Sequence, residues 1–230
     1  KTELKIKFKQ NWEHAESTAL NISLGEDTHN YVKKIINNKL KNSKKWVLVG
    51  GPPCQAYSLV GRSRMKKKRG FNRDVRHFLY KEYLKIIVDH KPPVFVMENV
   101  KGQLSAKIKG KFMIDKIISD LSSPIKAINN KKNGLKYNLY SLTEELNDKS
   151  EIEAKSLIVK SENFGVPQAR HRMFIVGIRA DINVKPNLLK KKKSPTVEQV
   201  LKSLPKIRSG ISKQKDSSKY VPEGVEGLAK

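Results

Sequence analysis

Gly50-Gly51-Pro52-Pro53-Cys54-Gln55-Ala56-Tyr57-Ser58 follows directly on the apolar run Trp46-Val47-Leu48-Val49, and the junction reads as a buried strand passing into a stiff turn. Short apolar runs closed by glycine suit strands covered on both faces, and each proline fixes φ and removes a donor. The turn carries the only cysteine in the chain. A buried cysteine is most often a small hydrophobe. A cysteine that attacks must instead be a thiolate in an electropositive, partly open setting.

Two further stretches repeat the arrangement of a polar signature beside an apolar run. After Lys91-Pro92-Pro93, the run Val94-Phe95-Val96-Met97 reads as a second buried strand ending in Glu98-Asn99-Val100. Leu157-Ile158-Val159 reads as a third, and Met173 to Ile178, preceded by Gln168-Ala169-Arg170-His171-Arg172, as a fourth. Strands alternating with helices predict an α/β domain with a largely parallel sheet. In such sheets ligands sit outside the carboxyl ends of the strands, so the three signatures converge on one cleft. Thiol, carboxyl and guanidinium together suit attack on an electron-poor ring carbon whose charge spreads onto a ring nitrogen and a carbonyl oxygen.

The remaining elements follow from periodicity. Leu4 to Phe8 alternates with period two and predicts a short half-exposed strand beginning almost at residue 1, which suggests a chain cut on its N-terminal side. Trp12 to Leu20, Asn30 to Leu40, Phe78 to Val88 and Met113 to Leu121 read as helices, and Val197 to Leu201 as a short one. Gly61 to Arg73 is basic without apolar period and reads as a surface loop, and Asn129 to Asn138 as a polar, turn-rich connection. No internal repeat is present.

Composition sets the partner class. The chain has 230 residues, 37% of them apolar, enough for one domain with a real core. One cysteine allows no internal disulfide and no zinc site of its own, which suits a reducing compartment. No apolar run approaches 18 residues and no signal-peptide pattern opens the chain, so a soluble, intracellular protein without membrane contact is expected. The net charge of +26 points to a polyanion, nucleic acid above all. Only nine of the 48 basic residues are arginine, and the lysine excess comes with many asparagines, so A/T-rich codon usage is the competing explanation. The histidines His77, His90 and His171 have no metal-ligand spacing, and no metal site is expected.

With these residues in view, the sequence resembles the C5-cytosine-specific DNA methyltransferase family from about residue 4 to residue 180. Gly50 to Ser58 matches the family's nucleophile motif, Glu98-Asn99-Val100 its acid motif, and Gln168 to Arg172 its Gln-x-Arg-x-Arg motif, in the family's order. The resemblance implies a Rossmann-like S-adenosylmethionine-dependent fold with helices on both faces of the sheet, incomplete at its N-terminus. It implies that Cys54 adds to C6 of a flipped cytosine, that Glu98 engages N3 and the exocyclic amine, and that Arg172 sits near O2. Asn99 would hold the motif's backbone and Arg170 face the flipped nucleotide or its phosphate. Gln55, Ser58, Arg62 and Arg64 would contact the nucleic acid, the last two from a basic loop that closes over double-stranded DNA.

For the cofactor the resemblance points to Asn11 and Trp12, to Asp27 at the adenine edge, to Pro52 in the pocket floor and to Leu79 in its lining. Asn11 departs from the family, which has an acidic residue there. The Phe-x-Gly-x-Gly loop of the family is found nowhere in the chain. Residues 1–180 are expected to form a partial methyltransferase catalytic domain and residues 181–230 a basic linker toward a target-recognition domain, with Ser194-Pro195-Thr196 and Leu204-Pro205 as its lead-in. The expected activity is sequence-specific C5 methylation of DNA, as in a restriction-modification system in the cytoplasm of a bacterial or phage-like context, by a monomer. The alternatives are a truncated or split chain that binds nucleic acid without methylating alone, completed by a complementary chain, and a tRNA-directed relative. The Cys-Phe-Thr signature of the tRNA-directed branch is absent.

Overall fold

The computed structural model describes residues 2–53, 79–108, 110–131, 134–145 and 152–204. Two helices open it, α1 (Thr2–Lys7) and α2 (Lys9–Thr18), followed by α3 (Glu26–Leu40) and strand β1 (Val47–Gly50). Helix α4 (Tyr80–His90) leads into β2 (Val94–Val100); the small hairpin β3 (Lys107–Ile108) and β4 (Lys111–Phe112) precedes α5 (Met113–Ser122), α6 (Pro124–Asn129) and β5 (Tyr137–Tyr140). Strands β6 (Ile158–Lys160) and β7 (His171–Arg179) and the short helix α7 (Val197–Leu201) complete the order.

The main sheet runs β1-β2-β7-β5, with β6 on β7. It is mixed rather than largely parallel: β1 pairs parallel with β2, while β7 runs against both β2 and β5. The period of an apolar run says nothing of strand direction, which the connections decide. β1 also departs from the expected strand covered on both faces. Val47 and Val49 are 53% and 71% exposed, because β1 is the edge strand and among the described residues nothing covers that side.

The core lies on the other face. Tyr80, Tyr83, Leu84 and Ile87 recur at helical spacing on α4 and are buried with Phe95 and Met97 of β2 and Met173 and Ile175 of β7. Ile114, Ile117 and Leu121 of α5 join them. Helix α4 ends at Lys91 in the left-handed region, φ 46°, and Pro92-Pro93 cannot continue it. The buried Tyr80 hydroxyl donates to Asp120 at 2.6 Å and ties α4 to α5.

The expected strand at Leu4 to Phe8 is helix instead, its alternation being too short to set a period. Glu3, Leu4, Lys5 and Lys7 favour helix, and Lys5 reaches the Glu16 carboxylate of α2 at 2.9 Å. Tyr137-Asn138-Leu139-Tyr140, partly read as a turn-rich connection, forms β5, with Tyr137 and Leu139 turned into the core. By contact the chain divides into two compact units, residues 1–159 with 172–188 and residues 160–171 with 189–230. Among the described residues no helix is long and apolar enough to cross a membrane.

Candidate active site

The first unit gathers the site at the carboxyl ends of β1 and β2, where β7 begins. Antiparallel pairing sets Glu98 opposite Phe174 and Val100 opposite Arg172, so Glu98 and Arg172 are diagonal neighbours on one face. Arg172 Nε lies 3.0 Å from Glu98 Oε1, with the two side chains 24% and 37% exposed. A half-open ion pair of this kind keeps a carboxyl and a guanidinium within reach of a ligand.

The Gly51-Pro52 turn lies against this pair. A Cβ on Gly51 would meet Glu98 Oε2 at 3.0 Å, so glycine there is what lets the turn approach the carboxylate. Asn99, on the opposite face and 2% exposed, donates from Nδ2 to the Pro52 carbonyl at 3.1 Å. Its Oδ1 accepts the backbone N–H of Val100 at 2.8 Å. One buried amide therefore couples the end of β2 to the buried proline of the turn.

Tyr83, which reads in the sequence as an ordinary core aromatic of α4, supports the same corner. Its hydroxyl donates toward the carbonyls of Val96 at 3.1 Å and Leu48 at 3.3 Å, and its ring would collide with a Cβ on Gly50. Burial holds that phenol protonated, far above its ordinary range.

Cys54 is the residue after Pro53 and lies outside the described residues, as do Gln55, Ser58, Arg62, Arg64 and the basic loop to Arg73. Arg170 is described, exposed, in the second unit. There the Ser161 hydroxyl accepts the Arg170 N–H at 3.0 Å and donates to the Gln168 carbonyl, which fixes the backbone of the Gln-x-Arg turn.

The five residues expected to hold S-adenosylmethionine all lie among the described residues. Pro52 is buried at the turn and Leu79 half-buried before α4, but Asn11 and Asp27 are exposed on α2 and α3. The Trp12 indole donates to Glu16 at 2.7 Å, and the Lys5 ammonium stands 5.0 Å from its ring centroid, beside a face that adenine would need.

Comparison with known proteins adds an independent line. The family model described as C-5 cytosine-specific DNA methylase matches residues 2–224. The type II methyltransferase M.Bpa9945I of Bacillus paralicheniformis is 35% identical over 183 residues, 76% of this chain and 36% of that protein. M.AquIA of Picosynechococcus is 36% identical over 133 residues, 58% of this chain and 43% of that protein. An Escherichia coli prophage protein described as a DNA modification methyltransferase superposes with a TM-score of 0.47 at 23% identity, covering 76% of this chain and 39% of that one. The chain thus spans less than half the length of these relatives.

Proposed function

The chain belongs to the C-5 cytosine-specific DNA methylase family, and from that membership we propose that it serves to methylate C5 of cytosine in double-stranded DNA. The supporting observation is the 3.0 Å pair of Glu98 and Arg172 beside the Gly51-Pro52 turn, with Cys54 two residues further along the chain.

In this reading a cytosine is flipped out of the duplex, which costs a few kcal/mol that phosphate contacts offset. The Cys54 thiolate bonds to C6, and the displaced electron density moves toward N3 and O2. Glu98 hydrogen-bonds N3 and the exocyclic amine, and Arg172 faces O2. C5 becomes the nucleophilic carbon; once substituted it loses its proton, and Cys54 leaves by β-elimination. Arg170 meets the flipped nucleotide or its phosphate, and Gln55, Ser58, Arg62 and Arg64 the nucleic acid. S-adenosylmethionine is the methyl donor this reading requires, and Asn11, Trp12, Asp27, Pro52 and Leu79 are the residues proposed to hold it. The type II names of the relatives favour a sequence-specific role in restriction-modification, exercised wherever the DNA is.

The test is duplex DNA bearing 5-fluorocytosine in the target site, with S-adenosylmethionine. A covalent adduct that disappears in Cys54→Ser is expected. Methyl label found in tRNA and not in DNA would sink the DNA reading. A second reading has its own support in the Trp12 indole, which is engaged by Glu16 and Lys5: this chain alone binds nucleic acid, and a complementary chain or further domain brings the donor. Calorimetric titration with S-adenosylmethionine separates the two, saturable tight binding refuting the second.

A further inference from the structure

Lys190 to Lys193 has the composition of a solvated linker, yet its backbone is held. In the second unit the Lys192 N–H donates to the Asn163 carbonyl at 2.9 Å, and Lys192 forms a parallel bridge with Phe164. Two residues on, the Ser194 hydroxyl bonds the carbonyls of Glu162 at 2.6 Å and Val166 at 2.8 Å. The Lys192 methylenes pass over Gly165, which sits at φ +86°, and a Cβ there would approach them to 3.1 Å. Lys191 to Ser194, with Glu162 and Asn163, line a concavity of about 420 Å³.

Among the described residues nothing spends the charges of this segment. Lys5, Lys33, Lys85 and Lys116 each reach a carboxylate, but among the described residues no ion pair or hydrogen bond engages the ammonium groups of Lys190 to Lys193. The single carboxylate of the concavity does not neutralise them. Glu162 Oε1 pairs with His171 Nε2 at 2.7 Å, and among the described residues its Oε2 has no hydrogen-bond partner. In extended backbone, alternate side chains leave from one side roughly 6.6 Å apart, so Lys191 and Lys193 present neighbouring cations from a fixed frame. Like charges held that way repel one another unless a polyanion lies across them.

We propose that Lys191 and Lys193 form a phosphate track for the DNA backbone, separate from the Glu98-Arg172 site. The proposal rests on the reading of DNA as substrate. Each contact to duplex phosphate releases counterions and contributes roughly 0.9 to the slope of log affinity against log salt. Replacing both lysines by alanine in the full chain should lower that slope by about 2 and weaken duplex binding about tenfold or more at 0.1 M salt. Lys191→Arg with Lys193→Arg should restore both. Lys34→Ala with Lys39→Ala, which removes the same charge from exposed positions of α3, should change the slope far less. A double alanine variant with wild-type slope, while wild-type protein binds duplex, overturns the track alone; an equal loss in the α3 control also overturns it by reducing the effect to net charge. Wild-type protein that fails to bind duplex DNA at all overturns the substrate reading and the track with it.

Discussion

Glu98 Oε1 and Arg172 Nε stand 3.0 Å apart because β7 runs antiparallel to β2 and brings the start of one strand to the end of the other. The pair is therefore set by a ladder rather than by loops, and the two side chains should act as a unit. Glu98→Ala and Arg172→Ala are each expected to slow adduct formation by about 10² to 10⁴. The double variant should be little worse than the poorer single one, so the coupling in a double-mutant cycle should approach the smaller single effect, about 2.7 kcal/mol for a 10²-fold loss. Strict additivity would mean that the ion pair has no part in the chemistry.

The two glycines of the turn should separate activity from stability. At Gly51 the nearest obstacle is Glu98 Oε2 at 3.0 Å, the movable end of a side chain, so Gly51→Ala should cost little stability. It should still displace the carboxylate, and a misplacement near 1 Å can cost about 10²-fold in rate. At Gly50 the obstacle is the Tyr83 ring at 2.4 Å, wedged in the core, and Gly50→Ala should destabilise by about 1–3 kcal/mol. Urea unfolding and adduct rates on the two variants check the contrast.

Asn99→Ala removes the amide that holds the Pro52 carbonyl and leaves buried backbone groups unpaired. A loss of about 1–3 kcal/mol is expected, together with slower reaction at Cys54 as the turn loosens. Asn99→Asp keeps the acceptor for Val100 N–H but not the donor, so it should fail to restore the rate.

Burial holds His90 below its ordinary value of 6.5; Asp89 pulls it upward, and Lys33 and His29 add to the depression. The unfolded chain thus binds a proton near pH 6.5 that the folded chain refuses. This contribution is complete above 6.5 and declines as pH falls through that value toward the folded one. The urea midpoint should drop between about pH 7.5 and pH 5.5, and less so in His90→Asn. An equal drop in both proteins would remove His90 as the cause.

The parts of this fold that were legible in the sequence are those with a strong local signal. Tyr80 to Ile87 announces α4 by its spacing, and the apolar runs at Val94 and Met173 announce β2 and β7. Glu98 and Arg172 were legible as a site because each sits at the edge of such a run in a recognisable order. Their ion pair was not, since it depends on the antiparallel register, which no local pattern encodes. Tyr137 to Tyr140 hid as a strand because its alternation, buried Tyr137 and Leu139 about exposed Asn138, is only four residues long and is completed by pairing with β7. Leu4 to Phe8 misled in the opposite way, alternating over too few residues for period to outweigh helix propensity. Gly51 and Tyr83 carry no chemical signature and become visible only as neighbours of Glu98 and Gly50.

The register that makes the site has a key of its own, well removed from it. Phe95 pairs with Gly177 across the same ladder, and its ring fills the space a side chain on that glycine would take. A slip of one residue would set the ring against Val176 or Ile178, which cannot yield that space, and would also turn Glu98 and Arg172 to different faces. The aromatic ring and the bare backbone beneath it are therefore a keel for the acid and the guanidinium. Their alignment is inherited from an apolar contact that no substrate touches.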